Sequence, residues 1–208
     1  NVAVSTIESV VGTAGTETVT MLDAGNVSVS AIETVVGSTG TGDSVTFLGA
    51  TSIGVSNIET AIGSGDSGED ILRLLGTAGA AVSVSNIDTV LGAAGAGTET
   101  VTLMGAANVA VSSVDTVTGS TGTDSVTMLG AGSLTVSTIE TVTGSTSTTT
   151  NDVLRILGEG NTAVSVVETV LGRASTESVT MLSGTSLGVS AVDTGIGTGG
   201  AENVTLLG

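Results

Sequence analysis

Two sets of carboxylates recur along the chain, and they are the residues whose type and spacing are best suited to chemistry. The first acidic set follows an apolar residue in segments such as I-E-T: Glu8, Glu33, Glu59, Asp88, Asp115, Glu140, Glu168 and Asp193. The second acidic set precedes a short apolar segment: Glu17, Asp43, Asp70, Glu99, Asp124, Asp152, Glu177 and Glu202. Stacked repeats would bring like charges to about 4.8 Å, where each pair repels by about 1 kcal/mol in water. Something must offset that repulsion.

The overall charge favours cations as partners. Twenty acidic residues stand against three arginines, which gives a net charge of −17. Such a surface repels nucleic acid and anionic membranes, so neither is expected as a partner. No apolar run approaches the roughly 20 residues of a membrane-spanning helix. The chain has no cysteine, so a secreted form must gain stability from something other than disulfides, and metal ions are one candidate.

A serine recurs at one position of every repeat, but it lacks the partners that catalysis needs. The set comprises Ser5, Ser30, Ser56, Ser85, Ser112, Ser137, Ser165 and Ser190. The sequence contains no His, Lys or Cys that could act as a base, so a nucleophilic role is rejected. We interpret these serines as corner residues that bond the turn backbone, with hydroxyls stacked along a column. We therefore predict that the protein is not an enzyme.

The carboxylates and serines are carried by an internal repeat that covers the whole chain. Segments such as NVAVSTIESVVG at 1–12 and NVSVSAIETVVG at 26–37 share one frame and recur eight times. Each is followed by a loop of small residues and a second apolar segment, such as ETVTML. The predicted coils are 1–25, 26–51, 52–80, 81–107, 108–132, 133–160, 161–185 and 186–208. We expect a single repeat array, 1–208, that is an excerpt of a longer one.

The elements of the repeat are predicted to be short strands. Apolar residues alternate with period two, Val, Ile and Thr are abundant, and glycines interrupt runs of four to six residues. A unit this short cannot bury its own apolar face, so successive coils must stack. The sequence predicts an all-β parallel β-solenoid of eight coils, each of about 25 residues with about three strands, of either hand. One predicted core column is Val4, Val29, Val55, Val84, Val111, Val136, Val164 and Val189, and further columns begin at Ile7, Val19 and Met21.

The loops around the second acidic set resemble a known calcium-binding repeat. GTAGTETVT at 12–20 and GSTGTDSVT at 119–127 resemble the glycine-rich nonapeptide of RTX proteins. The I-E-T-V lead-in is similar to repeats of bacterial surface-layer proteins and large RTX-type adhesins. The resemblance implies calcium held between turns by the second acidic set and loop carbonyls. The spacing between glycine and acid that the nonapeptide requires holds in only four coils. Half of the eight acids in the second acidic set are Glu rather than Asp. The alternative is an acidic rim that keeps the protein soluble.

A longer period suggests lateral contacts with copies of the same chain. Only the third and sixth coils carry an arginine in the second apolar segment, Arg73 and Arg155, beside the outward Ile71 and Val153. A regular array of arginines suits an ordered assembly, whereas drift after duplication of a three-coil block is the alternative. A second candidate interface is a stripe expected to be at least partly exposed: Val10, Val35, Ala61, Val90, Val117, Val142, Val170 and Gly195.

These observations favour an architectural function outside the cell. We expect a structural protein of the cell surface or extracellular space that forms or extends a filament, sheath, surface layer or adhesin stalk. The alternatives are a calcium-dependent adhesin and a solenoid that binds ice or polysaccharide. Ice binding is less favoured because arginines interrupt the outward threonines, which are Thr20, Thr46, Thr102, Thr127, Thr180 and Thr205. Polysaccharide cleavage would need basic partners and aromatic platforms, and Phe47 is the only aromatic residue.

Overall fold

The described part of the chain consists of short parallel β-strands connected by turns. The computed structural model describes residues 1–76, 79–93, 95, 97–147, 151–173, 176–183, 186–199 and 202–207. Contacts divide the chain into two compact units, unit 1 at Asn1–Met104 and unit 2 at Gly105–Gly208. Each repeat contributes three strands, which we name a, b and c in chain order. An a strand includes the valine of a recurrent V-S pair, a b strand follows the first acid, and a c strand begins at or shortly after the second acid.

The described residues of unit 1 contain four repeats with twelve strands. They are β1 (Val2–Val4), β2 (Ser9–Val11), β3 (Thr18–Met21), β4 (Asn26–Ser30), β5 (Thr34–Val36), β6 (Ser44–Phe47), β7 (Ser52–Ser56), β8 (Thr60–Ile62), β9 (Ile71–Leu74), β10 (Ala81–Ser85), β11 (Thr89–Leu91) and β12 (Thr100–Leu103). The a strands are β1, β4, β7 and β10, and each is followed by its b and c strands.

The part of unit 2 that the structure describes repeats this order with twelve more strands. They are β13 (Asn108–Ser112), β14 (Thr116–Thr118), β15 (Ser125–Met128), β16 (Ser133–Ser137), β17 (Thr141–Thr143), β18 (Val153–Ile156), β19 (Gly160–Ser165), β20 (Thr169–Leu171), β21 (Glu177–Ser183), β22 (Ser186–Ser190), β23 (Thr194–Ile196) and β24 (Asn203–Leu206). Its a strands are β13, β16, β19 and β22.

Each strand pairs with the strand two positions further along the chain. In unit 1 the sheet orders are β1-β3-β5-β7-β9-β11 and β2-β4-β6-β8-β10-β12, and unit 2 likewise separates odd from even strands. Val2 pairs with Val19, and Val35 pairs with Val55, so one turn takes roughly 18 residues and two strands. The predicted parallel β-solenoid is confirmed, but the coil of about 25 residues with three strands is corrected. The repeat spans one and a half turns.

Because one repeat spans one and a half turns, the residues that stack on one another come from different strand types. Equivalent strands of successive repeats lie on opposite sheets, as β1 and β4 do in unit 1. The column that runs through Val19, Val35, Val55 and Leu74 therefore combines c, b, a and c strands. All eight valines of the predicted Val column are buried, so their inward orientation is confirmed. Their stacking upon one another is wrong, because repetition in sequence reveals strand order but not which strands pair.

The predicted exposed stripe lies in the core of the chain. In a b strand such as β5, only the central residue points inward. The a and c strands on either side of it in the chain, β4 and β6, each turn two residues inward. Val35, Ala61, Val90, Val117, Val142 and Val170 are each 0 % exposed. Val10 is half-buried, and Gly195 is exposed in the last turn. The outward orientation expected for this stripe was wrong, and its buried members cannot contact another chain.

The two arginines lie at exposed positions of their c strands, each in its own unit. Arg73 in β9 and Arg155 in β18 are exposed, while Ile71 and Val153 beside them are half-buried. Within unit 1, β3 and β12 are equivalent strands three repeats apart, and they lie on different sheets. Within a unit, a residue that recurs after three repeats therefore changes sheet. The same alternation separates Thr20 in β3 from the equivalent threonines of the even-numbered strands, so the predicted threonine column is not one surface.

The corners of the turns explain two recurrent residue types. The residue after each recurrent serine has a positive φ of 52–58°, as in Asn57 and Val166. The carbonyl oxygen of that residue approaches the glycine that ends the b strand of the previous turn. A Cβ on Gly37 would lie 1.8 Å from the Asn57 oxygen, so only glycine fits. The predicted position of the serines beside a corner is confirmed. The serines do not stack on one another, because Ser56 pairs with Val36.

Candidate functional site

The second acidic set lies beneath the loops that join b strands to c strands, and most of it is buried. Asp43, Asp70, Asp124 and Asp152 are at most 1 % exposed. Glu99 and Glu177 are buried as well, whereas Glu17 and Glu202 are half-buried. Burial of a carboxylate is costly unless donors or a cation satisfy it. The partners of these side chains therefore determine what the site can do.

Each buried aspartate is satisfied by hydrogen-bond donors of the chain. The Oδ2 atom of Asp124 accepts bonds from the Ser120 backbone N–H at 2.6 Å and the Ser120 hydroxyl at 2.9 Å. Its Oδ1 atom accepts a bond from the Ala107 N–H of the preceding turn at 2.8 Å. The pattern recurs in the other three sites, where the donors are Ser38 and Gly25, Ser64 and Thr51, and Ser145 and Gly132. Three donors thus converge on one carboxylate at each site.

The identity of the acid follows the residue after the b-strand glycine. Where that residue is serine, namely Ser38, Ser64, Ser120 and Ser145, the acid is Asp. Where it is Thr13, Ala93, Arg173 or Thr198, the acid is Glu. The longer Glu side chain reaches the loop differently: Glu17 Oε1 accepts a bond from the Thr13 hydroxyl at 2.7 Å, which lowers the pKa of Glu17. Sequence reasoning missed this pairing, although the correlation is present in the sequence.

The first acidic set binds the backbone of the second. Glu140 Oε2 accepts a bond from the Asp124 N–H at 2.7 Å, and Glu59 Oε2 accepts one from the Asp43 N–H at 2.8 Å. Glu33, Asp88 and Glu168 accept the equivalent bonds from Glu17, Asp70 and Asp152. In return, the backbone N–H of Glu140 donates to the carbonyl of Asp124. The two acidic sets therefore join consecutive turns to each other.

These residues do not fit the calcium coordination that the RTX resemblance implies. Calcium takes six to eight oxygen ligands, and carboxylates that bind it present free lone pairs. Here N–H and O–H groups point at both oxygens of the buried aspartates, including Asp124. Across the described ranges, no three His, Cys, Asp or Glu side chains form a group that could hold a metal ion. Hydrogen-bond donors of the chain therefore offset the charge of these aspartates.

Two further charged side chains, those of Arg173 and Asp66, bind nearby backbone groups. Arg173 donates from Nη1 to the Leu157 carbonyl at 2.9 Å. Asp66, in the long loop of the third repeat, accepts bonds from the backbone N–H groups of Gly68 and Ala50. The Gly68 bond lowers the pKa of the Asp66 carboxyl. Both side chains bind backbone groups and thereby hold loops in place.

Comparison with known proteins adds no family. No family model, curated protein or solved structure matches the chain. The described residues include no helix that is long and apolar enough to cross a membrane. The chain is therefore classified by its architecture alone, as an all-β parallel β-solenoid with turns of roughly 18 residues.

Proposed function

We propose that this chain is an architectural segment of an extracellular or cell-surface protein, in which a self-supporting solenoid provides reach and stiffness. The host structure would be a filament, sheath, surface layer or adhesin stalk. One observation carries the proposal: the recurrent carboxylates are used to bond one turn to the next, as Glu140 does with Asp124. The similarity of the loops to RTX and surface-layer repeats supports the extracellular location.

The energetics of the repeat suit this role. Charge-assisted hydrogen bonds are roughly twice as strong as neutral ones, and each turn corner contains several. Since repeats contact only their neighbours, stability grows with the number of turns and does not depend on one central core. The net charge of −17 keeps such a protein soluble and limits non-specific aggregation. The proposal rests on stacking along the solenoid, because the valine stripe expected to mediate lateral contacts is buried.

Replacement of the array in its host protein tests the proposal. In one variant, a flexible Gly/Ser linker of equal residue number takes the place of residues 1–208. In the matched control, an unrelated parallel β-solenoid with the same number of turns takes that place. We expect the flexible linker to broaden the distribution of distances between the surface and an immunogold-labelled distal epitope, and the unrelated solenoid to restore a narrow distribution. A broad distribution with both replacements would show that specific side chains, rather than architecture, set the stiffness.

A further inference from the structure

An apolar side chain is exposed at the corner that follows the c strands. Leu22, after β3, is 59 % exposed, and Leu48, after β6, is 53 % exposed, although both strands are paired on each side. The set that follows the c strands from β3 to β21 is Leu22, Leu48, Leu75, Met104, Leu129, Leu157 and Leu182. An apolar position that stays exposed in one repeat after another indicates a contact surface.

One of these corners also carries a fixed negative charge. Leu22 is followed by Asp23, and no other Leu-Asp pair occurs in the sequence. Asp23 is exposed, and its Oδ2 atom accepts a bond from the Ser5 hydroxyl at 2.6 Å, which holds the carboxylate at the corner. We call Leu22 and Asp23 the acidic corner. Its chemistry calls for a partner surface that combines apolar side chains with a cation.

A surface of that kind lies on the same sheet of unit 1. Arg73 in β9 is exposed and lies between Gly54 and Leu91 in the outward register of the sheet. A cavity of about 280 Å³ opens beside it, and its walls include Leu75 and Leu91. The Arg73 guanidinium makes no hydrogen bond or ion pair with any residue that the structure describes. We call Arg73, Leu75 and Leu91 the arginine patch, which offers a cation beside an apolar cavity.

The acidic corner and the arginine patch complement each other but cannot meet within one copy. They belong to β3 and β9, which are three strands apart in one sheet and therefore about 14 Å apart across it. A two-fold axis between them would place the acidic corner of each of two copies on the arginine patch of the other, so that the contact forms twice.

We propose that two copies of this chain pair side by side through this surface of unit 1, with their strands running in opposite directions. Leu22 of each copy enters the cavity beside Arg73 of the other, and Asp23 pairs with that arginine. Charge complementarity favours a second copy as the occupant, because a net charge of −17 would otherwise keep two copies apart. This inference rests on the proposed architectural function and names a partner for it.

Reciprocal charge variants of the whole chain test this pairing. Arg73→Asp alone opposes two carboxylates at both contacts, and Asp23→Arg alone opposes two cations. We expect each variant to weaken the self-association measured by sedimentation equilibrium by roughly tenfold or more, because like charges are then opposed at the interface. An equimolar mixture of the two variants restores an opposite-charge pair at both contacts. Heterodimers in that mixture should therefore form with the affinity of the unmodified chain.

Matched variants provide the controls. Arg155→Asp changes the net charge equally at the equivalent position of β18, in unit 2, and should associate as the unmodified chain does. Leu22→Ser should weaken association, whereas Leu48→Ser, at a corner of the other sheet, should not. A mixture that stays monomeric, equal effects of Arg73→Asp and Arg155→Asp, or an unmodified chain that is monomeric at every concentration would overturn the pairing. Each of these results would leave the architectural function standing, since the linker replacement tests that function independently.

Discussion

At the scale of single residues, the chain handles its charge by pairing carboxylates with backbone and serine donors. Asp124 would be costly to bury alone, but Ser120 and Ala107 direct three donors at it. The acids themselves are conspicuous in the sequence because they recur in every repeat. Their donors could not be predicted, because the Ala107 N–H comes from another turn and becomes a neighbour only when the pairing of strands is known.

The serine hydroxyl is expected to contribute measurably at each Asp site. Ser120→Ala removes one bond to the buried Asp124 carboxylate, so it should lower the free energy of unfolding by about 1.5–3 kcal/mol. Ser133→Ala is the matched control, because Ser133 is exposed at the start of β16. Urea denaturation of both variants measures the difference. Equal stability of the two variants would show that the hydroxyl bond is not needed.

A second residue-level prediction concerns backbone strain at the corners. Val166 has φ 58°, a conformation that costs a β-branched residue about 1–2 kcal/mol, whereas Asn57 and Asn86 occupy the equivalent corners with a favourable residue type. Val166→Asn should therefore raise the free energy of unfolding by about 1 kcal/mol. Val153→Asn, at an ordinary strand position, should lower it. Thermal unfolding of both variants decides the matter, and a loss of stability in Val166→Asn would contradict the strain argument.

At the scale of elements, the a, b and c strands are distinguishable from the sequence, but their pairing is not. Alternation of apolar residues correctly predicts that Val29 and Val45 point inward. The same alternation cannot reveal that two strands, and not three, complete a turn, because both arrangements bury the same residues. The error placed Val4 above Val29, although β1 and β4 lie on opposite sheets. The predicted orientation of the b strands was wrong for a related reason. Each b strand has a single inward residue, so it shows no alternation that could identify that residue.

Deletions distinguish the sequence repeat from the structural turn. Removal of residues 133–160, one repeat, keeps the succession of a, c and b strands in both sheets. Removal of residues 126–141, one turn by the pairing of Val126 with Val142, places a b strand where a c strand belongs. We expect the repeat deletion to retain cooperative unfolding and the turn deletion to lose amide protection around the junction. Equal tolerance of the two deletions would contradict the one-and-a-half-turn repeat.

At the scale of the whole molecule, the net charge of −17 is divided between buried acids that bond the backbone and exposed acids in water. The RTX resemblance implied calcium for the second acidic set, and the alternative was an acidic rim that keeps the protein soluble. The geometry around Asp43 and Asp124 favours donors of the chain instead. Stability of the solenoid is therefore expected not to depend on a divalent cation.

Chelation tests this expectation. Excess chelator should leave the Tm of the purified chain unchanged, because the carboxylates that would hold calcium already accept hydrogen bonds. The control is addition of a monovalent salt at equal ionic strength, which separates screening of exposed charges from removal of an ion. A large fall in Tm that added calcium reverses would show that the loops bind the ion.

The alternation of equivalent strands between sheets has a consequence for symmetry. Advancing by one repeat within a unit rotates the chain by one and a half revolutions, which is the operation of a two-fold screw axis. The two faces of each unit therefore display the same succession of a, c and b strands. Duplication of a repeat adds to both faces equally and cannot by itself create a front and a back. Any preference for one face must come from the features that break the screw, such as Arg73, Arg155 and the long loops of the third and sixth repeats.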